Sequence, residues 1–197
     1  MRANVFFVIP ARGGSKRLHR KNLRHVLGKP LIQYAVEACQ GSKFHNGKNV
    51  FVTTEDEEIS KESKRLSARV IDRPQALAAD DVWTQDVIEH AVTKIEGFDK
   101  SEESCIVVRV QANSPQVTSE KIDECIEKLL AHDLWEVFTI DEQLLEDAAV
   151  HALRAKCVAQ RALSVYKGVV MTDYIDVHNE SDLLEVARRM KAKNDKD

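Results

Sequence analysis

Six cationic side chains, Arg12, Lys16, Arg17, Arg20, Lys21 and Arg24, crowd one short stretch that opens on Ala11-Arg12-Gly13-Gly14-Ser15. The stretch follows Val5-Phe6-Phe7-Val8-Ile9, an apolar run that reads as a buried first strand ending at Pro10. A glycine pair after a strand lets the backbone turn sharply and approach a ligand closely. Backbone N–H groups with guanidinium and ammonium groups form a receptor for a polyphosphate. Two common nucleotide motifs do not fit. Gly28-Lys29 runs into Pro30, and Leu23 stands where a P-loop begins with glycine. Gly13-Gly14 lacks the third spaced glycine of the dinucleotide fingerprint. The glycine pair by itself also fits a tight βα turn with solvated charges.

Such groups need a scaffold, and strands alternate with helices along the chain. Leu31, Tyr34, Ala35 and Ala38 recur at helical spacing after Pro30, and Val50–Thr54 reads as a second strand. A polar helix is predicted over Glu55–Leu66, a short strand over Ala68–Ile71 and a loop over Arg73–Val82. Val87, Ile88, Ala91, Val92 and Ile95 mark a helix face, and the β-branched run Cys105–Val110 a central strand. Ile122, Cys125, Ile126, Leu129 and Leu130 mark another helix, and Glu136–Ile140 a strand. Leu144, Leu145, Ala148, Ala152, Leu153 and Cys157 predict a helical stretch over Glu142–Arg161. The last helix begins near Ser181, with Leu183, Leu184, Ala187 and Met190 on one face. This order predicts an α/β fold, a three-layer α/β/α sandwich around a mostly parallel mixed sheet. Ligands on such sheets bind beyond the carboxyl ends of the strands.

The 197 residues fit one domain, 1–197, and the 43% hydrophobic and 31% charged composition is that of a soluble globular chain. A net charge of −3 makes the basic cluster local, which argues against a nucleic-acid partner. Cys39, Cys105, Cys125 and Cys157 form no Cys-x-x-Cys pair and read as reduced core residues. The sequence has no apolar run near the ~20 residues of a membrane span, and the first apolar run is too short for a signal peptide. The expectation is a cytoplasmic protein with no membrane partner.

Four blocks carry a more specific pattern: Ile9-Pro-Ala-Arg-Gly-Gly-Ser-Lys-Arg-Leu through Arg20-Lys-Asn-Leu and Leu27-Gly-Lys-Pro-Leu-Ile; Phe51-Val-Thr-Thr-Glu-Asp-Glu-Glu-Ile; Asp72-Arg-Pro-Gln-Ala-Leu-Ala-Ala-Asp80 with Thr84; and Val110-Gln-Ala-Asn-Ser-Pro115. In order and spacing they closely resemble the cytidylyltransferases that activate sugar acids, namely the CMP-sialic acid synthetases (acylneuraminate cytidylyltransferases) and the CMP-KDO synthetases. The likeness is strongest over residues 5 to 131. It implies a Rossmann-like fold of the nucleotide-diphospho-sugar transferase type. It also implies transfer of CMP from CTP to a sialic-acid-like or other 2-keto-3-deoxy sugar acid, with release of pyrophosphate and Mg²⁺ as cofactor.

Carried over by residue, the resemblance places Arg12, Ser15, Lys21 and Asn22 on the triphosphate and nucleotide, with the backbone of Ala11 and Gly13 beside them. Arg73 and Thr84 would help define the base pocket, and Gln111 would lie between nucleotide and sugar. Ser114 fits either a ligand contact or a helix cap or turn. Arg12 and Lys21 would stabilise the charge that migrates to the leaving pyrophosphate. Near the last helix the family often shows Asp-x-Asp holding Mg²⁺, which here becomes Asp176-Val177-His178. Asp176 would bind the metal. His178 would join it, take a proton from the attacking hydroxyl, or serve only as a loop residue, since Mg²⁺ prefers oxygen ligands. The resemblance also implies a homodimer, yet this chain is shorter between Ile140 and Tyr174 than the sialic acid enzymes, in the region of their dimerisation segment. Arg154, Lys156, Arg161 and Lys167 remain there as carboxylate partners or as a solvated face. Two alternatives stay open: a cytidylyltransferase for a smaller acid or a phosphonate, and a nucleotide-binding homologue without catalysis.

Overall fold

The computed structural model describes residues 3–195, so the first and last two residues of the expected 1–197 domain lie outside the described residues. In chain order it contains β1 (Asn4–Pro10), a small hairpin of β2 (His25–Val26) and β3 (Lys29–Pro30), α1 (Leu31–Gly41), β4 (Val50–Thr54), α2 (Glu57–Arg65), β5 (Arg69–Asp72), α3 (Thr84–Val92), β6 (Cys105–Val110), α4 (Ser119–Ala131), β7 (Glu136–Ile140), β8 (Glu146–Arg154), β9 (Lys167–Met171) and α5 (Glu180–Asn194). Seven strands form one sheet in the order β5-β4-β1-β6-β8-β7-β9. Every neighbouring pair is parallel except those of β8, which runs against both β6 and β7.

β1 and, apart from Arg109, β6 are apolar on both faces because both sheet faces are covered. Phe7, Ile9, Ile106, Val108 and Val110 pack with Ile32 and Val36 of α1 and Ile122 and Ile126 of α4. Phe6, Val8, Phe51 and Val107 pack with Ile88, Ala91 and Val92 of α3. The expected three layers result. After β1 the chain crosses to β4 on one side, and β6 later pairs on the other. A crevice must therefore open at the carboxyl ends of β1 and β6.

The expected helix over Glu142–Arg161 is not formed. Asp141–Leu145 is a turn held by Asp141 accepting from Gln143 and Leu145 N–H, β8 follows it, and a 3-10 turn spans Ala155–Cys157. Ala149 to Leu153 are all buried, so both faces of this strand are apolar or paired and no period-2 alternation survives to be read. The Ala148 side chain lies outside the described residues. β9 and the β2–β3 hairpin also lie beyond the predicted elements. Leu27 and Gly28 form the hairpin turn with φ of 47° and 85°, the left-handed pair that a two-residue hairpin requires. The predicted polar helix is α2, two residues shorter at its start, with Asp56 as its cap accepting from the Ile59 N–H and with Ile59 and Ser63 buried. All four cysteines are free and buried. Among the described residues no helix is long and apolar enough to cross a membrane.

Candidate active site

A cleft of about 550 Å³ opens at the carboxyl ends of β1, β5 and β6. It is lined by predicted residues from three of the four blocks, Arg12, Ser15, Lys21, Asn22, Arg73, Thr84 and Gln111, and by His178 before the last helix. Ala11, Gly13, Ser114 and Asp176 do not line it. Ala11 is buried, and its N–H extends the β1 ladder to the Thr53 carbonyl at 3.1 Å.

The basic loop is tied down by neighbouring strands. Glu55, just past β4, accepts the Gly13 N–H at 2.7 Å through Oε1 and the Arg73 guanidinium through Oε2, at 2.6 Å from Nη2 and 3.1 Å from Nε. Arg73 is therefore a wall of the cleft clamped on Glu55. Gly13 is required by closeness: a Cβ there would fall 2.3 Å from Asp56 Oδ2, whereas one at Gly14 would meet nothing within 4 Å. Arg20 adopts φ 50° and reaches the same Asp56 at 3.0 Å. Buried Asn22 donates to the Arg12 carbonyl at 3.0 Å, closing the loop on itself.

Asp80 was not singled out by the sequence reading, though it ends one of the four blocks. Its carboxylate lies 2.8 Å from Arg12 Nη1 and also contacts Lys16 Nζ. The hydrogen bond from Lys16 holds its pKa below the usual carboxylate range. It sits against the cations that a triphosphate would use. Arg12 also donates to the Ala78 carbonyl at 3.3 Å, so the loop after β5 rests on the loop after β1.

Beside the wall residues Asn113 and His178, Ser114 donates to Asp176 Oδ1. The helix cap it could have formed belongs to Thr118, which accepts from Lys121 N–H at the start of α4. Asp176 is fixed by its neighbour: Val177 N–H donates to the Asn113 carbonyl at 2.9 Å, and Asn113 Nδ2 returns a bond to the Val177 carbonyl at 3.2 Å. The Val177 side chain is fully buried with Leu18, Val26, Leu31, Leu183 and Val186. Burial pushes the Asp176 carboxyl up, against the Ser114 hydrogen bond and the charges of His178 and Lys21. Burial pulls the Lys21 ammonium down, with Asp176 opposing. His178 Nε2 lies 3.6 Å from Asp176 Oδ2, and its N–H is held by Asp182 in the capping box of α5. Among the described residues no three His, Cys, Asp or Glu side chains gather as a metal cluster. The donor set is one carboxylate, Asp176, outside the cleft lining but 3.6 Å from cleft-lining His178. That suits Mg²⁺, which commonly uses one or two carboxylates and leaves its other positions to water and phosphate oxygens.

A family model described as cytidylyltransferase matches residues 6–191. Among curated proteins the chain is 35% identical over 144 residues to 3-deoxy-manno-octulosonate cytidylyltransferase of Francisella philomiragia, covering 73% of this chain and 53% of that protein. It is 36% identical over 93 residues to N-acylneuraminate cytidylyltransferase of Escherichia coli, covering 47% of this chain and 22% of that protein. The chain thus spans about half the length, or less, of the curated relatives it matches. A solved CMP:2-keto-3-deoxy-manno-octonic acid synthetase in complex with CTP superposes with a TM-score of 0.78, covering 97% of this chain and 100% of the other at 16% identity, which is a likeness of fold.

Proposed function

The chain belongs to the cytidylyltransferase family, and on that premise we propose that it transfers CMP from CTP to a hydroxyl of a small sugar acid and releases pyrophosphate. The observation that carries this reading is the single cleft in which Arg12, Ser15, Lys21 and Asn22 face Gln111 and His178 across the switch point of the sheet. The triphosphate displaces Asp80 from Arg12 and Lys16 and takes over their charge. The acceptor oxygen attacks the α-phosphorus in line, and the bond from that phosphorus to the bridging oxygen breaks. The electron pair leaves with pyrophosphate. Positioning and charge stabilisation carry such a transfer, without a covalent enzyme intermediate. Arg12 and Lys21 offset the charge on the leaving group. Asp176 would hold Mg²⁺, and the ion when bound neutralises charge on the phosphates. His178, half-exposed in the cleft wall, accepts the proton of the attacking hydroxyl, a role open to an imidazole near neutral pH.

Pyrophosphate release with CTP, Mg²⁺ and a panel of acids tests this, with ATP, GTP and UTP as controls. The panel contains 3-deoxy-manno-octulosonate, N-acylneuraminate, smaller 2-keto acids and phosphonates. Release with CTP and one sugar acid is the expected result. Release only with a smaller acid or a phosphonate would replace the acceptor. CTP binding with no release for any acid would reduce the function to nucleotide binding.

A further inference from the structure

A second cavity, about 260 Å³, lies beside the nucleotide cleft, and the two share Thr84. Its floor is the β6–β8 part of the sheet, and the segment after β8 that carries Gln160, Arg161 and Leu163 closes it. The floor is charged where a core would be apolar. Arg109 of β6 and His151 of β8 stand in register and so share one face. The His151 ring is satisfied, with Nε2 2.9 Å from Glu136 Oε2, while the other oxygen of Glu136 accepts the Ser164 N–H. Arg109 is not satisfied. Its side chain is only 10% exposed. Its one side-chain contact among the described residues is Nη2 to Glu146 Oε1 at 3.5 Å, and its Nε is buried with no partner. A hydrogen bond at that length is weak, and a guanidinium has five N–H groups to satisfy. Leaving a buried cation so poorly compensated is costly. Burial also draws its pKa below the ordinary value, against the nearby charges of Glu146 and Asp176.

We propose that Arg109 is the carboxylate-binding residue of the acceptor pocket, receiving the acid group of the sugar acid on its guanidinium fork and so presenting the acceptor hydroxyl across Thr84 to the nucleotide cleft. This rests on the cytidylyl-transfer reading. A planar guanidinium matches a carboxylate in two parallel hydrogen bonds. Glu146, about a third exposed, is the internal carboxylate that the ligand displaces. Arg161 at the rim is already engaged, 2.6 Å from Asp86 and 5.9 Å from the Trp83 ring centroid, which leaves Arg109 as the underused cation. The volume lies just below the range of small-molecule sites, roughly 300–1,000 Å³, which restricts the pocket to the acid end of a compact monosaccharide.

The test is isothermal titration in EDTA, which withholds the Mg²⁺ of the proposed transfer. CTP is titrated first. The CTP-loaded protein then receives 3-deoxy-manno-octulosonate or N-acylneuraminate, each beside its methyl ester. The wild type should bind one acid about 30-fold more tightly than its ester, the discrimination expected of hydrogen bonds to a charged group. Arg109→Gln should bind acid and ester within about threefold of each other with CTP affinity unchanged, and Arg109→Lys should keep part of the discrimination. A merely structural Arg109 would lower stability and leave the acid-to-ester ratio intact, which would overturn the proposal. Should Arg109→Gln fail to fold, Glu146→Gln decides: it should tighten acid binding about threefold, and unchanged or weaker binding would overturn it. If the wild type binds CTP and neither acid, the subsite is wrong and nucleotide binding stands. If CTP itself does not bind, the underlying reading fails and the subsite with it.

Discussion

Replacing Glu55 by glutamine removes one negative charge from a join between the loops that follow β1, β4 and β5. The wild-type carboxylate accepts the Gly13 N–H with one oxygen and the Arg73 guanidinium with the other. The two side chains are 9% and 3% exposed. Glutamine keeps the volume and one oxygen, so it can still accept from either partner. Its NH₂ then meets the other one donor against donor. Unpairing a buried charge in this way costs about 3–5 kcal/mol, and the retained acceptor places Glu55→Gln near the lower end, about 3 kcal/mol. With a urea m-value of about 2 kcal/mol per molar, the unfolding midpoint should fall by about 1.5 M. Thermal unfolding should shift down by about 6–12 °C. Urea titrations followed by circular dichroism and by Trp83 and Trp135 fluorescence measure this. The double variant Glu55→Gln/Arg73→Met should lose less than the sum of the single variants by about 1 kcal/mol or more. A Glu55→Gln protein within about 0.5 kcal/mol of wild type, the range of a surface site, would refute the clamp.

Three further outcomes are expected. The Asp176 carboxyl is pushed up by burial, so the folded state holds its proton more tightly than the unfolded chain; the stability this provides is present below the ordinary Asp pKa and lost as pH rises through the folded one. Asp176→Asn should therefore raise the melting temperature near pH 7 by a few degrees, leave it unchanged near pH 3, and abolish turnover. Asp80→Asn should tighten CTP binding about two- to fivefold by removing an exposed competitor for Arg12 and Lys16, read by titration at fixed ionic strength; weaker binding would show that Asp80 supports the nucleotide. Burial pushes the thiols of Cys105 and Cys125 up to about 11 and about 12, and those of Cys39 and Cys157 upward as well, so a disulfide reagent at pH 8 should label none in the native protein and all four in urea.

Where burial on one face or two leaves a simple signature, the sequence reading and the structure agree. β1, β4 and β6 are written as mainly apolar, β-branched runs, and α1, α3 and α4 as helical spacings. The cleft was legible because its cations lie close together in sequence and its distant members fall in blocks of family-like spacing. β8 was illegible for two reasons. Alanines and leucines within Leu144–Leu153 favour a helix locally, while the strand pairing that overrides them comes from β6 and β7, far along the chain. Asp80 and Arg109 were missed because nothing local distinguishes them: a loop aspartate and one arginine in an apolar strand gain meaning only from what the fold sets opposite them.

The reversal of β8 has a consequence for how such a protein can change. The proposed nucleotide contacts come from loops after β1 and β5 that hold one another through Glu55 and Asp80, and from a β6 loop that Asn113 ties to Val177, so altering one disturbs its partner. The floor of the second cavity is different. It is sheet, paired on both sides, and β8 offers it Glu146 and His151. A single codon change at such a position swaps the surface offered to an acceptor while the backbone ladder stays as it was. On the proposed reading, the nucleotide side is built to resist drift, and the acceptor side can change one side chain at a time.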